Sequence, residues 1–265
     1  MEFSEHCFDQ DAHLAGSDKD RASDLMEAFL DPGVHAVLCS RGGYGCARLF
    51  PYLDLDAIVS SRKMLLGFSD ITTLHIALNN RGLATVHAPM ALTLVPPREC
   101  WVYDSFRAVL RGEDPIRPEA PKGQTLVSGQ AEGKVAGGCL ILMCDSLGTP
   151  NPIDADGRIL LIEDVDEDPH RVDAMFTHML NAGVIQKAAG IVVGEMTRTD
   201  DQRDEGIGGK PWREIVKERI GPLGIPTILD FPFGHNKNML SLPLGIRAKL
   251  NADDGTLSYL EKLCD

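Results

Sequence analysis

Apolar positions along this chain follow two alternating patterns. Some recur three and four residues apart, as on one face of a helix; others form short continuous runs, as in a buried strand. Leu25, Met26, Phe29 and Leu30 follow a Ser/Asp cap and predict an amphipathic helix over 18–30, which Asp-Pro-Gly at 31–33 stops. HAVLCS (35–40) and KMLLGF (63–68) read as buried strands, with a short helix at CARLFPYL between them. SDITTLHIALNNRG (69–82) reads as a helix ending at glycine, and ATVHAPMAL (84–92) as strand, then loop. KVAGGCLILMCDSLGT (134–149) holds a glycine pair and an apolar run. Farther on, RILLIEDV (158–165) and AAGIVVGEM (188–196) predict strands; PHRVDAMFTHMLNAG (169–183) and PWREIVKERIGPLG (211–224) predict helices. IPTILDF is a strand leading into a Gly/Asn/Pro-rich loop, and IRAKLNADDGTLSYLE a hairpin about Asp-Asp-Gly. No internal repeat or low-complexity tract interrupts this order. Strand and helix alternating in this way indicate an α/β fold with a largely parallel sheet.

Residues 111–134 break the pattern, being rich in Pro, Gly and charge. They suggest an N-terminal domain over 1–111, a linker over 112–130 that leads toward an edge strand, and a C-terminal domain over 131–265. The length of 265 residues suits one large domain or two small ones. With 26 basic and 39 acidic residues, the net charge of −13 disfavours nonspecific binding to nucleic acid or to an anionic membrane. No apolar run has the length of a membrane span, and MEFSEHCFDQDAH lacks the basic and apolar regions of a signal peptide. The seven cysteines include no C-x-x-C pair and sit mostly in apolar segments, which suits reduced, buried thiols in a cytoplasmic protein.

Four features carry possible chemistry. Ser69, in Gly67-Phe68-Ser69-Asp70, lies where a strand passes into a helix. A sharp turn there projects the hydroxyl and aims the next amide at the same space, as in a nucleophile elbow; with Ile71 where that motif has its second glycine, this feature by itself favours Ser69 or Asp70 as a helix cap. In Arg41-Gly42-Gly43-Tyr44-Gly45 the glycines permit close backbone approach, to form an oxyanion-binding loop or simply a tight turn. Glu163 and Asp164 end a strand, with Asp166, Glu167, Asp168 and His170 close behind. Such acids orient a histidine, hold a hard cation, or form a solvated loop. His235, between Gly234 and Asn236 on a loop, suits base chemistry near neutral pH or is polar surface. His75 recurs at core spacing and reads as structural, while His87 is left undecided between cleft and core. Ser69, Glu163 and His235 each lie at or just after a strand end, where open α/β sheets carry their sites, in the order Ser…Glu…His.

These motifs together resemble the serine LD-carboxypeptidases of bacterial murein recycling, a family that includes the microcin C self-immunity peptidases. The matching segments are HLAGSDKDRASDL, RGGYGCARL, LLGFSDITTLHIAL, TVHAPM, ILLIEDVDEDPHRVDAMFTHML, AGIVVGEM and FGHNKNMLSLPLG. The resemblance implies a Rossmann-like, glutamine-amidotransferase-like first domain and a smaller swivelling β/α second domain with the site between them. It further implies a Ser69–Glu163–His235 triad, with backbone amides of Asp70 and Gly43 (favoured over Gly42) as the oxyanion hole. No cofactor or metal is expected. The implied substrate is a cytoplasmic murein tetrapeptide that loses its terminal D-alanine, and the implied assembly is a homodimer. The alternatives are an amide hydrolase that inactivates microcin C-type acyl-sulfamoyl adenylates, for which a nucleotide-stacking aromatic loop is the expected sign, and a non-catalytic binding protein. Departures from the family pattern are Cys139 where Asn is usual and HAPM where HGPM is usual. The family also has a strand–helix–strand opening before the first helix, about 30 residues in size. That difference implies either an uncovered sheet edge or partial substitution by MEFSEHCF.

Overall fold

A computed structural model describes residues 2–204, 206 and 209–263. Helix α1 (Asp18–Leu30) starts at Ser17, whose hydroxyl accepts from the Asp20 amide, and Asp18 and Asp20 complement the positive helix end. Strand β1 (Ala36–Leu38), helix α2 (Leu55–Ser61), strand β2 (Met64–Gly67), helix α3 (Thr72–Asn79) and strand β3 (Thr85–His87) follow. β1, β2 and β3 pair in parallel, and their side chains alternate between faces. Leu65 packs with Phe29 of α1 and Ile58 of α2, whereas Leu66 joins Val86 and Val109 on the opposite face. Val109 belongs to α5 (Cys100–Leu110), which follows the short helix α4 (Ala91–Leu94).

The second sheet has seven strands. Its centre is parallel: β5 (Gln130–Cys139), β6 (Ile159–Val165), β7 (Gly190–Thr197) and β8 (Thr227–Leu229). Helices α6 (Leu140–Ser146), α7 (Pro169–Asn181) and α8 (Trp212–Ile220) connect them. β4 (Gln124–Val127), within the Pro/Gly-rich segment, pairs antiparallel to β8 at the edge. Leu160 and Ile162 face the helices, while Ile159 and Leu161 face a second core built with Trp101, Phe231 and Phe233. β6 is therefore buried on both sides, which is why it reads as a continuous apolar run.

One segment departs from the sequence reading. The Gly/Asn/Pro-rich loop that carries His235 contains β9 (Leu242–Leu244), which crosses back to pair antiparallel with β3 of the first sheet. Pro243 is tolerated because β9 is an edge strand. The chain then returns to the second sheet as the hairpin β10 (Arg247–Asn251) and β11 (Thr256–Tyr259). The one β-pairing within residues 2–16 is an isolated bridge between Asp11 and Leu14, so the described part of that segment supplies no strand, and β1 pairs on one side only among the described residues. Cys46, Cys139 and Cys144 are buried, Cys100 is exposed, and Cys264 lies outside the described residues. No helix among the described residues is long and apolar enough to cross a membrane.

Candidate active site

The site forms at the C-terminal ends of strands from both sheets. After β2, Phe68 stays extended and Ser69 turns to φ +64°, a left-handed conformation that costs a non-glycine residue about 1–3 kcal/mol. A short 3₁₀ turn over Ser69–Ile71 then leads into α3. Gly67 makes this turn possible, since a Cβ there would lie 2.9 Å from Ile71 Cγ1 and 3.2 Å from Cys39 Cβ. Neither Ser69 nor Asp70 caps the helix, which corrects that alternative. The Asp70 carboxylate instead accepts from the Cys46 amide at 2.9 Å, tying the glycine loop to the elbow. His75 is structural: it is buried, its Nε2 lies 3.0 Å from the Gly67 carbonyl, and burial pushes its ring down to about 3.

The glycine loop lies directly over the nucleophile candidate. A Cβ on Gly42 would fall 2.8 Å from Ser69 Cβ, 3.0 Å from its Oγ and 3.4 Å from the Asp70 amide nitrogen. Gly43 is exposed at φ +107°, and near it lies only the Arg41 side chain. Gly42 is thus the residue in contact with Ser69; the next peptide carries the Gly43 amide.

Glu163, near the end of β6, is fully buried. Its Oε2 lies 2.7 Å from His235 Nδ1. Gly234 allows this approach: its φ is +97°, and a Cβ there would lie 2.6 Å from the same oxygen. Burial by itself raises the Glu163 carboxyl, but the His235 and His87 imidazoles overcome it and hold the group at about 2. Burial likewise lowers His235, and the Glu163 charge outweighs it, so the ring is raised above 6.5. The pair is therefore an ionised carboxylate and a strengthened base. No hydrogen bond joins Ser69 to His235. Phe68, the residue before Ser69, has its ring centroid 4.8 Å from that of His235 in an edge-on arrangement. Catalytic hydrogen bonds are commonly long or unformed without substrate.

The acids after Glu163 diverge. Asp164 turns inward and accepts from the Ile141 and Val165 amides. Burial first, then the Glu163 charge, raises it to about 7. Asp166 pairs with Arg198 and Glu167 with Arg171, while Asp168 and His170 are exposed. No group of three His, Cys, Asp or Glu residues among those described is arranged to hold a metal ion. Trp101 and Trp212 are core residues, 9% and 2% exposed; Trp212 offers no open stacking face, whereas Trp101 borders a cavity. That cavity, of about 850 Å³, opens beside the segment that follows His235 and is lined by Glu195, Arg213, Asp230, Asn236 and Lys237 among others. Two residues that the sequence left without a role lie at the site. Thr72 Oγ1 accepts from the Cys139 amide at 3.1 Å, joining α3 to β5, and His87 lies beside Glu163.

Comparison with known proteins agrees with this architecture. Residues 1–88 match the LD-carboxypeptidase N-terminal domain, and residues 132–250 match the LD-carboxypeptidase C-terminal domain. A Streptomyces coelicolor protein named as a carboxypeptidase is 39% identical over 249 residues, 93% of this chain and 78% of that protein. The probable murein peptide carboxypeptidase of Bacillus subtilis is 34% identical over 252 residues, 93% of this chain and 78% of that protein. Among solved structures, the muramoyltetrapeptide carboxypeptidase of Oxalobacter formigenes superposes with a TM-score of 0.82 at 28% identity, covering 94% of this chain and 86% of that one. With both domains matched in order around a serine elbow and a buried Glu–His pair, the chain belongs to the LD-carboxypeptidase family, a family of peptidases.

Proposed function

We propose that this protein is a serine LD-carboxypeptidase that removes the terminal D-alanine from murein tetrapeptides. The observation that carries the reading is the 2.7 Å contact between a fully buried Glu163 carboxylate and His235, next to the elbow that presents Ser69. His235 takes the Ser69 proton as Oγ attacks the scissile carbonyl, and Glu163 orients the ring and stabilises its imidazolium. The Asp70 and Gly43 amides hold the oxyanion, a role in which one donor is worth about 10²–10³ in kcat. His235 then protonates the leaving D-alanine amine. Water, deprotonated by the same ring, attacks the acyl-enzyme and regenerates Ser69. The reading has the site at the junction of the units 1–111 and 131–265, and the enzyme acting as a cytoplasmic homodimer.

The test is D-alanine release from a murein tetrapeptide by the wild type and Ser69→Ala. Loss of release on the order of 10⁶ in kcat is expected for a folded Ser69→Ala protein, with no effect of EDTA. Equal release by both proteins, abolished by EDTA, would overturn the serine mechanism.

A further inference from the structure

The triad leaves one buried titratable ring without a role. His87 ends β3, held in register against Gly67 of β2 on one side and Leu242 of β9 on the other. Its side chain is fully buried, and neither ring nitrogen has a hydrogen-bond partner. Glu163 Oε1, the carboxylate oxygen that His235 does not use, is also buried and unpartnered. These two orphaned groups face each other, with His87 Nε2 3.6 Å from Oε1, just beyond hydrogen-bond distance. Buried polar atoms are rarely left unpaired, because no water replaces the missing partner.

Aromatic neighbours fix the His87 ring in this orientation. Phe233 meets it edge-on with centroids 5.4 Å apart, and Phe68 lies at 5.6 Å. Phe68 directly precedes Ser69, and Phe233 directly precedes Gly234-His235. His87 is thus wedged between the segments that carry the proposed nucleophile and base, with the carboxylate in front of it.

Building on the triad reading above, we propose that His87 is a positioning residue that clamps Glu163 from the side opposite His235. A ring protonated at Nε2 donates to Oε1 and stops the carboxylate from rotating, so that Oε2 stays on His235 Nδ1. Nε2 is the ring nitrogen that faces an acceptor, and Nδ1 has none. Because His87 belongs to the first sheet and Glu163 to the second, the clamp also holds the two sheets in register across the site.

Two measurements test the clamp. Histidine ¹⁵N NMR of the wild-type protein reads the tautomer without any variant: a protonated Nε2 on His87 is expected, and a bare Nε2 would overturn the proposal. The second measurement compares D-alanine release by His87→Gln, which keeps a donor on a side chain of similar reach, with release by His87→Phe, which keeps a ring and loses the donor. The expectation is a kcat at least about tenfold lower for His87→Phe than for His87→Gln at similar KM, within the range for outer partners of a reacting group. Equal kcat values, or the reverse order, would show that the ring serves packing alone. Failure of the triad reading is distinguishable, since it appears as retained activity in Ser69→Ala and leaves the His87 tautomer unchanged.

Discussion

Glu163 has no access to water, and it is ionised because imidazoles face it. Its depressed pKa supplies folding stability above the ordinary value of 4.5 that is lost as pH falls toward about 2. His235 shows the opposite sign. A raised ring binds its proton more tightly in the folded state, so that contribution is full below 6.5 and is lost as pH rises through the folded value. As a base the ring must be neutral, so the acid limb of kcat/KM is expected above pH 6.5. Glu163→Gln removes the charge that raises the ring. It should therefore move this limb to lower pH and reduce kcat by about 10⁴, read from D-alanine release across pH. A limb that stays in place would mean that another group is titrating. Ser69, Glu163 and His235 could be picked out as candidates because each sits at or just beyond a strand end, and the family resemblance chose them over the cap and surface readings. His87 could not be, because its meaning comes from Glu163, Phe68 and Phe233, which only the fold brings to it.

Among the elements, α3 organises the site. It is buried almost throughout, and its first turn has no side-chain cap; the Ile71 amide donates to the Phe68 carbonyl, so the Asp70 amide is the one left to face a ligand. The helix is anchored from outside: Thr72 receives the β5 amide of Cys139, and a Cβ on Gly138 would lie 2.5 Å from Thr72 Oγ1. The glycine loop is anchored by Asp70, whose carboxylate is 5% exposed and receives the Cys46 amide. Asp70→Ala should cost about 1–3 kcal/mol of stability, measured by urea unfolding, because it strands a buried N–H. A loss under a few tenths would mean that the loop holds without this bond. The longer helices and the strands β2, β6 and β7 follow from periodicity. β5 is harder to recognise because its first half is exposed in alternation and its buried half contains the glycine pair. β9 is three residues long, with Pro243 in the middle, and no local pattern separates it from loop.

At the scale of the whole molecule, two elements join the sheets. β9 pairs with β3, yet its Leu242 and Leu244 pack in the core of the second sheet. α5 contributes Trp101 and Val102 to that same core and Val109 to the outer face of the first sheet. The two sheets are therefore expected to unfold as one unit. Intrinsic fluorescence, dominated by Trp101 and Trp212, and far-ultraviolet circular dichroism should give a single coincident urea transition. Two separated transitions would show that the sheets are independent. By itself the sequence determined the α/β class and the order of the principal elements, because these depend on local periodicity; strand-end position made Ser69, Glu163 and His235 candidates, and the resemblance of the surrounding motifs to a family selected them as the proposed triad. Only the tertiary structure decided that Asp70 anchors a loop rather than capping a helix, that Gly42 rests on Ser69, that Asp164 turns inward, and that His87 faces the far side of Glu163. Each of those is a contact between residues distant in the chain, and the last depends also on how the two sheets close on one another.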